Sequence, residues 1–180
     1  AMDLYDGGLR AIDARGATIL DHVPVQQYLD VLIEGVRDWS YMKFPFIRSL
    51  GEADGWYRVG PLARINACDF IDTPEAEEAR RDFRSLAGAE PNHMTMAYHW
   101  ARMIEVLHSI EMAERLLNDP DLRGTDLVTT GEPRREGIGV IEAPRGTLFH
   151  HYQVNEDGLV TMCNLIVSTT SNNEAMNRSV

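Results

Sequence analysis

Four groups of residues in this 180-residue chain have the types and spacing for chemistry. His150 and His151 invite a metal-ligand reading, yet neighbouring strand residues point to opposite faces, so the two cannot chelate one ion without a bulge. Glu105 and His108 form Glu-x-x-His, which on a helix places both on one face. Carboxylate-bridged di-iron bundles use that spacing in two copies, and no second copy occurs here, so a polar helix face is the plainer reading. His99 lies nine positions before His108, about half a turn out of phase. Gly137-Ile138-Gly139 supplies a GxG, but strand-type residues and Pro144 follow it where a nucleotide loop needs a helix start. No GxSxG, Walker A or HExxH sequence occurs.

The fourth group is Glu142-Ala143-Pro144-Arg145-Gly146. Pro144 cannot donate to a strand ladder and Gly146 permits close backbone approach, so Arg145 is expected to project from a locally irregular, rigid site. A guanidinium there stays cationic, offers a planar fork of donors and can stabilise an anion or a developing charge. The plainer alternative is an arginine paired with Glu142 at a sheet edge.

The elements that must carry these residues belong to a chain of one-domain size, 1–180, with 44% hydrophobic residues. The 28 acidic against 17 basic residues give a formal net charge of −11, which disfavours nucleic acid and anionic membrane as partners. No apolar run approaches the roughly 18 residues of a membrane span, and a soluble cytoplasmic protein is expected. Ala1 before Met2 reads as an expression scar. Cys68 and Cys163 stand alone, without a CxxC, so neither a disulfide framework nor a cysteine-built metal site is expected.

Two short β-compatible runs flank Ala14-Arg15-Gly16 and predict a hairpin over 9–23. Val25, Tyr28, Leu29, Leu32, Ile33, Val36 and Trp39 recur at three- and four-residue steps after Pro24, predicting an amphipathic helix over 24–40. An aromatic and proline cluster, 41–46, leads into a glycine-bearing loop, and 56–60 is strand-like with Pro61 limiting it to an edge or bend. Thr73 is expected to cap a helix that begins at Pro74 and stops at Gly88. Met96, Trp100, Met103, Leu107, Ile110 and Leu117 predict a long helix over 92–118 packed along one face, ended by Asp119-Pro120. After a polar stretch, 138–141, 147–154 and 159–169 read as an antiparallel ribbon with a turn at 155–158, followed by a tail without a terminating element. The fold class is α+β, helices packed on a small antiparallel sheet.

Three stretches together resemble a known family. Tyr-Arg-Val-Gly-Pro-Leu-Ala-Arg-Ile-Asn at 57–66, Tyr-His-Trp-Ala-Arg-Met-Ile-Glu at 98–105 and GIGVIEAPRGTLFHHYQVNEDGLVTMCNLIVSTT at 137–170 resemble the large, catalytic subunit of nickel–iron hydrogenases, closest to the soluble bidirectional and NAD-linked group. The resemblance runs from about Leu4 to the end. It implies the central part of that subunit's fold, because the two CxxC motifs that hold nickel in the family are both missing. The chain is then either an excised middle portion, which its first residue and abrupt end favour, or a relative that lost the metal.

By resemblance, Arg145 matches the arginine that overhangs the open position of the nickel–iron centre, where hydrogen is split heterolytically. Ala143 and Pro144 match the backbone that lines the pocket around the iron's diatomic ligands. A cation so placed orients and polarises the reacting pair without losing its proton. The family's proton-relaying glutamate adjoins the first CxxC, so Glu142 does not inherit that role. His150, His151, Arg64 and Asn66 match family positions with no chemical step assigned to them, and no metal ligand is expected in this chain. The complete enzyme is expected to pass electrons to an iron–sulfur small subunit, and the group's range extends to diaphorase-type subunits. Alone, the chain is expected to bind no nickel, to be inactive, and to expose apolar surface through which it can self-associate. Two rival readings stand: a non-catalytic hydrogenase-like scaffold of an NADH-dehydrogenase-type complex, and a metal enzyme built on Glu105, His108 and His151.

Overall fold

Antiparallel hairpins account for all the strands of the computed structural model, which describes residues 1–88 and 90–179. The hairpin expected around Gly16 forms from β2 (Gly8–Ile12) and β3 (Thr18–Pro24). Its turn is closed by Asp13, whose Oδ1 accepts the amides of Arg15 and Ala17, both at 2.8 Å, with Gly16 at φ 86°. An additional strand, β1 (Met2–Tyr5), pairs with β2.

The helix expected over 24–40 is not there. A short 3-10 turn and the single helical turn α1 (Tyr28–Val31) give way to β4 (Leu32–Arg37), paired with β5 (Ser40–Ile47). Tyr28 and Leu32 are buried as the periodicity implies, but Val36 and Trp39, which the helix would bury, are exposed. The residues themselves explain the switch. Val31, Ile33 and Val36 are β-branched and Gly35 costs about 1 kcal/mol in a helix, while the aromatic segment 40–47 offers a complete ladder partner. A Cβ at Gly35 would also crowd the Phe44 carbonyl. The expected glycine-bearing loop contains a 3-10 turn and α2 (Gly51–Asp54). In the stretch 56–60 only Trp56 forms a bridge, to Phe46, and Pro61 opens α3 (Pro61–Ala67) instead of ending a strand.

The C-terminal ribbon is as expected: β6 (Glu136–Ala143), β7 (Gly146–Val154) and β8 (Val160–Ile166), joined at the second turn by Asn155, which accepts the amides of Asp157 and Leu159. Val140, Phe149 and Ile166 lie opposite one another across its inner face. With Met2, Leu9, Tyr28, Leu32, Ile47, Tyr57 and Val59 they form the core. The tail does have a terminating element, a 3-10 turn and α6 (Asn173–Asn177), held by Asn172 to the Val59 amide (3.0 Å) and by Asn173 to the Lys43 carbonyl (2.8 Å).

These elements make one compact unit, Ala1–Cys68 with Arg135–Val180; Asp69–Arg134 make a second, helical one. In the latter, α4 (Pro74–Ser85) packs with α5 (Ala97–Leu117). The buried positions of α5 are Ala97, Ala101 and Ile104, offset from the expected stripe, because small side chains let the helices approach around Ala76 and Phe83. Met96, Met103, Ile110 and Leu117 are left exposed. Thr73 does not cap α4 through its hydroxyl, which bonds His108 Nδ1 at 2.9 Å. Glu111 takes that place, accepting the amides of Glu75 (3.0 Å) and Ala76 (2.9 Å) across the helix pair. Glu111→Ala is expected to destabilise this unit, seen as a lower midpoint of urea unfolding followed through the helical circular-dichroism signal.

Candidate functional site

Pro144 and Arg145 are the two residues of the tight turn between β6 and β7, with Ala143 paired to Gly146. The proline therefore interrupts no ladder; its fixed φ sets the turn. Two glycines seat this turn on the chain before α3. Gly146 has φ 133°, and a Cβ there would overlap the Val59 side chain and lie 2.9 Å from the Gly60 nitrogen. Gly60 has φ 101°, and its Cβ would lie 3.0 Å from the Arg145 carbonyl oxygen. Backbone meets backbone at both points, which leaves the turn little room to move.

Arg64, from the middle of α3, closes the arrangement. Its Nη1 donates to Glu142 Oε2 at 2.7 Å and to the Ala143 carbonyl at 3.1 Å, and its Nη2 to the Pro144 carbonyl at 3.3 Å. The other oxygen of Glu142 accepts the Leu4 amide at 3.0 Å and the hydroxyl of buried Thr147 at 2.5 Å. Glu142 thus ties β1, the ribbon and α3 together, and its ion partner is Arg64 rather than Arg145. The sheet-edge pairing considered for Arg145 does not form. Arg145 is exposed and its guanidinium has no hydrogen bond or ion pair among the described residues.

Beside this cluster Asp3 is buried, 3% exposed, and its Oδ1 has no hydrogen-bond partner among the described residues. Burial, and then the charge of Glu142, push its carboxyl up to about 7, against the opposing pull of Arg10, Arg64 and the terminal ammonium.

The other candidates separate. His150 and His151 face opposite ways, as strand alternation requires: His150 bonds the Tyr152 hydroxyl at 3.0 Å, while His151 is buried between Glu136 (2.8 Å) and the Tyr28 hydroxyl (3.0 Å). Lys43 donates to Asn164 Oδ1 (3.4 Å), so Asn164 presents its amide nitrogen to Tyr28 (2.9 Å). The Tyr28 hydroxyl shares a hydrogen bond with His151 Nδ1, and His151 Nε2 faces Glu136. Sequence spacing contained no sign of this chain, because its members are 15 to 136 positions apart. Glu105 pairs with Arg102 and His108 with Thr73, both in the helical unit. Among the described residues, no three His, Cys, Asp or Glu side chains gather as a metal-binding group. Cys68 caps α3 and Cys163 lies in β8, and Asn66 is buried in α3.

Comparison with known structures defines the class. The NAD+-reducing NiFe-hydrogenase in its hydrogen-reduced state superposes with a TM-score of 0.92 at 52% identity, covering 99% of this chain and 40% of that one. The Ni-Fe-Se hydrogenase from Desulfomicrobium baculatum, 19% identical over 94% of this chain and 33% of its own, shares the fold at a TM-score of 0.52. The mixed helix and sheet architecture is that of a hydrogenase large subunit.

A model of the nickel-dependent hydrogenase family matches residues 16–179, and the chain belongs to that family. The NAD-reducing hydrogenase HoxS subunit beta of Cupriavidus necator is 47% identical over 99% of this chain and 37% of its own length. The chain spans about two fifths of the relatives it matches.

The cluster has two measurable consequences. Because the Asp3 carboxyl is raised in the folded state, the native protein binds the extra proton, and stability is expected to fall as pH rises from about 4 through 7. Asp3→Asn is expected to remove most of that slope and to raise the melting temperature at pH 8 while leaving it nearly unchanged at pH 4, measured by thermal unfolding against pH. Gly146→Ala, which meets the backbone of Gly60 and the side chain of Val59 in a conformation that disfavours any Cβ, is expected to destabilise the sheet unit by about 2–4 kcal/mol, measured by denaturant titration.

Proposed function

We propose that this chain is the central portion of a nickel–iron hydrogenase large subunit and that Arg145 provides the cationic wall of its hydrogen-splitting pocket, with Ala143 and Pro144 lining the same wall. The observation that carries the reading is the state of Arg145: an exposed guanidinium without a partner among the described residues, on a turn seated on backbone and tied by Arg64. A cation held ready and left unsatisfied suits a site that presents charge to something outside the chain. On this reading the chain forms one wall of a nickel–iron centre, and the ligands of that centre come from elsewhere in the subunit.

When bound, that centre supplies the metal chemistry by which hydrogen is cleaved. This chain's part is electrostatic. The guanidinium keeps its proton, directs its donors from a fixed turn and favours the charge-separated arrangement over the neutral one. Pro144 and Ala143 contribute shape, and by their carbonyls give Arg64 its hold. The relatives bear hydrogenase names, which supports the catalytic reading over a metal-free scaffold.

The same reading places an iron–sulfur small subunit beside the complete protein, and the NAD-reducing relative supports diaphorase-type subunits as further partners. It also places the complete protein in the cytoplasm; among the described residues, no helix is long and apolar enough to cross a membrane. The isolated chain is inactive on this view, and its exposed residues on α5 favour self-association. In the complete subunit assembled with its partners, Arg145→Lys is expected to lower hydrogen turnover by roughly 100- to 1,000-fold at unchanged nickel and iron content. Turnover within threefold of the parent overturns the reading.

A further inference from the structure

We infer that Arg64 is the positioning residue for Arg145: it fixes the turn by holding the Glu142 carboxylate and the carbonyls of Ala143 and Pro144, the two residues before Arg145, with one guanidinium. The inference rests on the reading of Arg145 given above and adds a residue that no spacing rule connects to it. Arg64 and Pro144 are 80 positions apart.

The geometry separates two tasks that one ion pair would not combine. Holding Glu142 secures the foot of the turn, since the same carboxylate also takes the Leu4 amide and the Thr147 hydroxyl. Holding the Pro144 carbonyl orients the peptide that links Pro144 to Arg145. Because that peptide is planar, fixing its oxygen also fixes where its nitrogen, and hence the Arg145 backbone, begins. Gly60 lies close to the Arg145 carbonyl: a Cβ there would be 3.0 Å from its oxygen. The peptide before Arg145 is therefore held from α3, the one after it lies against the residue that precedes α3, and the side chain has no hydrogen bond or ion pair among the described residues.

Lysine is a discriminating replacement. It keeps the positive charge that Glu142 needs, but its compact ammonium lacks the planar fork that spans a carboxylate and two carbonyls. A purely structural role predicts that Arg64→Lys, if folded, leaves the turn and Arg145 unaffected. A positioning role predicts loosening confined to the turn and a catalytic loss that operates through Arg145. Misplacement of a catalytic group by about 1 Å lowers rates by about 100-fold.

Two measurements test this. In the 180-residue chain, amide hydrogen exchange across 143–147 is expected to accelerate at least tenfold in Arg64→Lys, while the core strand positions around Phe149 and Ile166 exchange at the parent rate. In the complete assembled enzyme, Arg64→Lys is expected to lower kcat about 30- to 100-fold with KM for hydrogen within threefold, and to cost less than threefold when added to Arg145→Lys. Unchanged exchange across the turn, or an equal rate loss in both backgrounds, overturns the inference and leaves the reading of Arg145 standing. If Arg145→Lys itself is fully active, the earlier reading fails. The exchange result then decides whether Arg64 sets the turn, and its role toward catalysis is overturned with that reading.

Discussion

The ion pair between Arg64 and Glu142 stands at the meeting point of three elements that are distant in sequence: β1, the β6–β7 ribbon and α3. Its two side chains are 17% and 20% exposed, too shielded for the pair to behave as a surface salt bridge worth less than about 1 kcal/mol. It also escapes the full penalty of a dry interior pair, because the spare oxygen and spare donors of both partners go to an amide, a hydroxyl and two carbonyls. Such a pair contributes less by its net energy than by the arrangement it enforces. Losing one partner leaves several polar groups unsatisfied together, and the turn depends on them.

The proximity of Asp3 follows from the same crowding. Burial, and then the neighbouring charge of Glu142, raise the Asp3 carboxyl to about 7. Glu142 is fixed by its donors, and Asp3 beside it titrates near neutrality. A comparable division appears among the histidines. Strand alternation sends His151 into the core, where Tyr28 and Glu136 take both ring nitrogens, and leaves His150 on the outer face with Tyr152. Adjacent residues of one type thus acquire unrelated environments.

The helical unit shows the converse case, an apolar pattern that stays exposed. Met96, Met103, Ile110 and Leu117 recur along α5 and stay exposed, while the seam with α4 is made by Ala97, Ala101 and Ile104. Small residues permit close helix approach, and the larger ones form a second apolar stripe. The family members superposed here are more than twice as long as this chain.

Much was determined by the sequence alone. The ribbon, its asparagine turn and the first hairpin follow from alternation and turn chemistry; the helices at 74 and 97 follow from proline placement and spacing; the opposed histidines follow from a period of two. The resemblance carried by Glu142-Ala143-Pro144-Arg145-Gly146 and its flanks led to the family that the comparisons show. What the sequence could not decide depended on partners far along the chain. The stretch 24–40 has helical spacing but becomes β4 because segment 40–47 completes its hydrogen bonds. Thr73 has the chemistry of a cap, yet Glu111 from the next helix reaches those amides first. Glu142 has one arginine three positions away and another 78 away, and takes the distant one. The reason is common to all three cases: local sequence sets what each residue is able to bond, and only the packed chain sets which partner is in range.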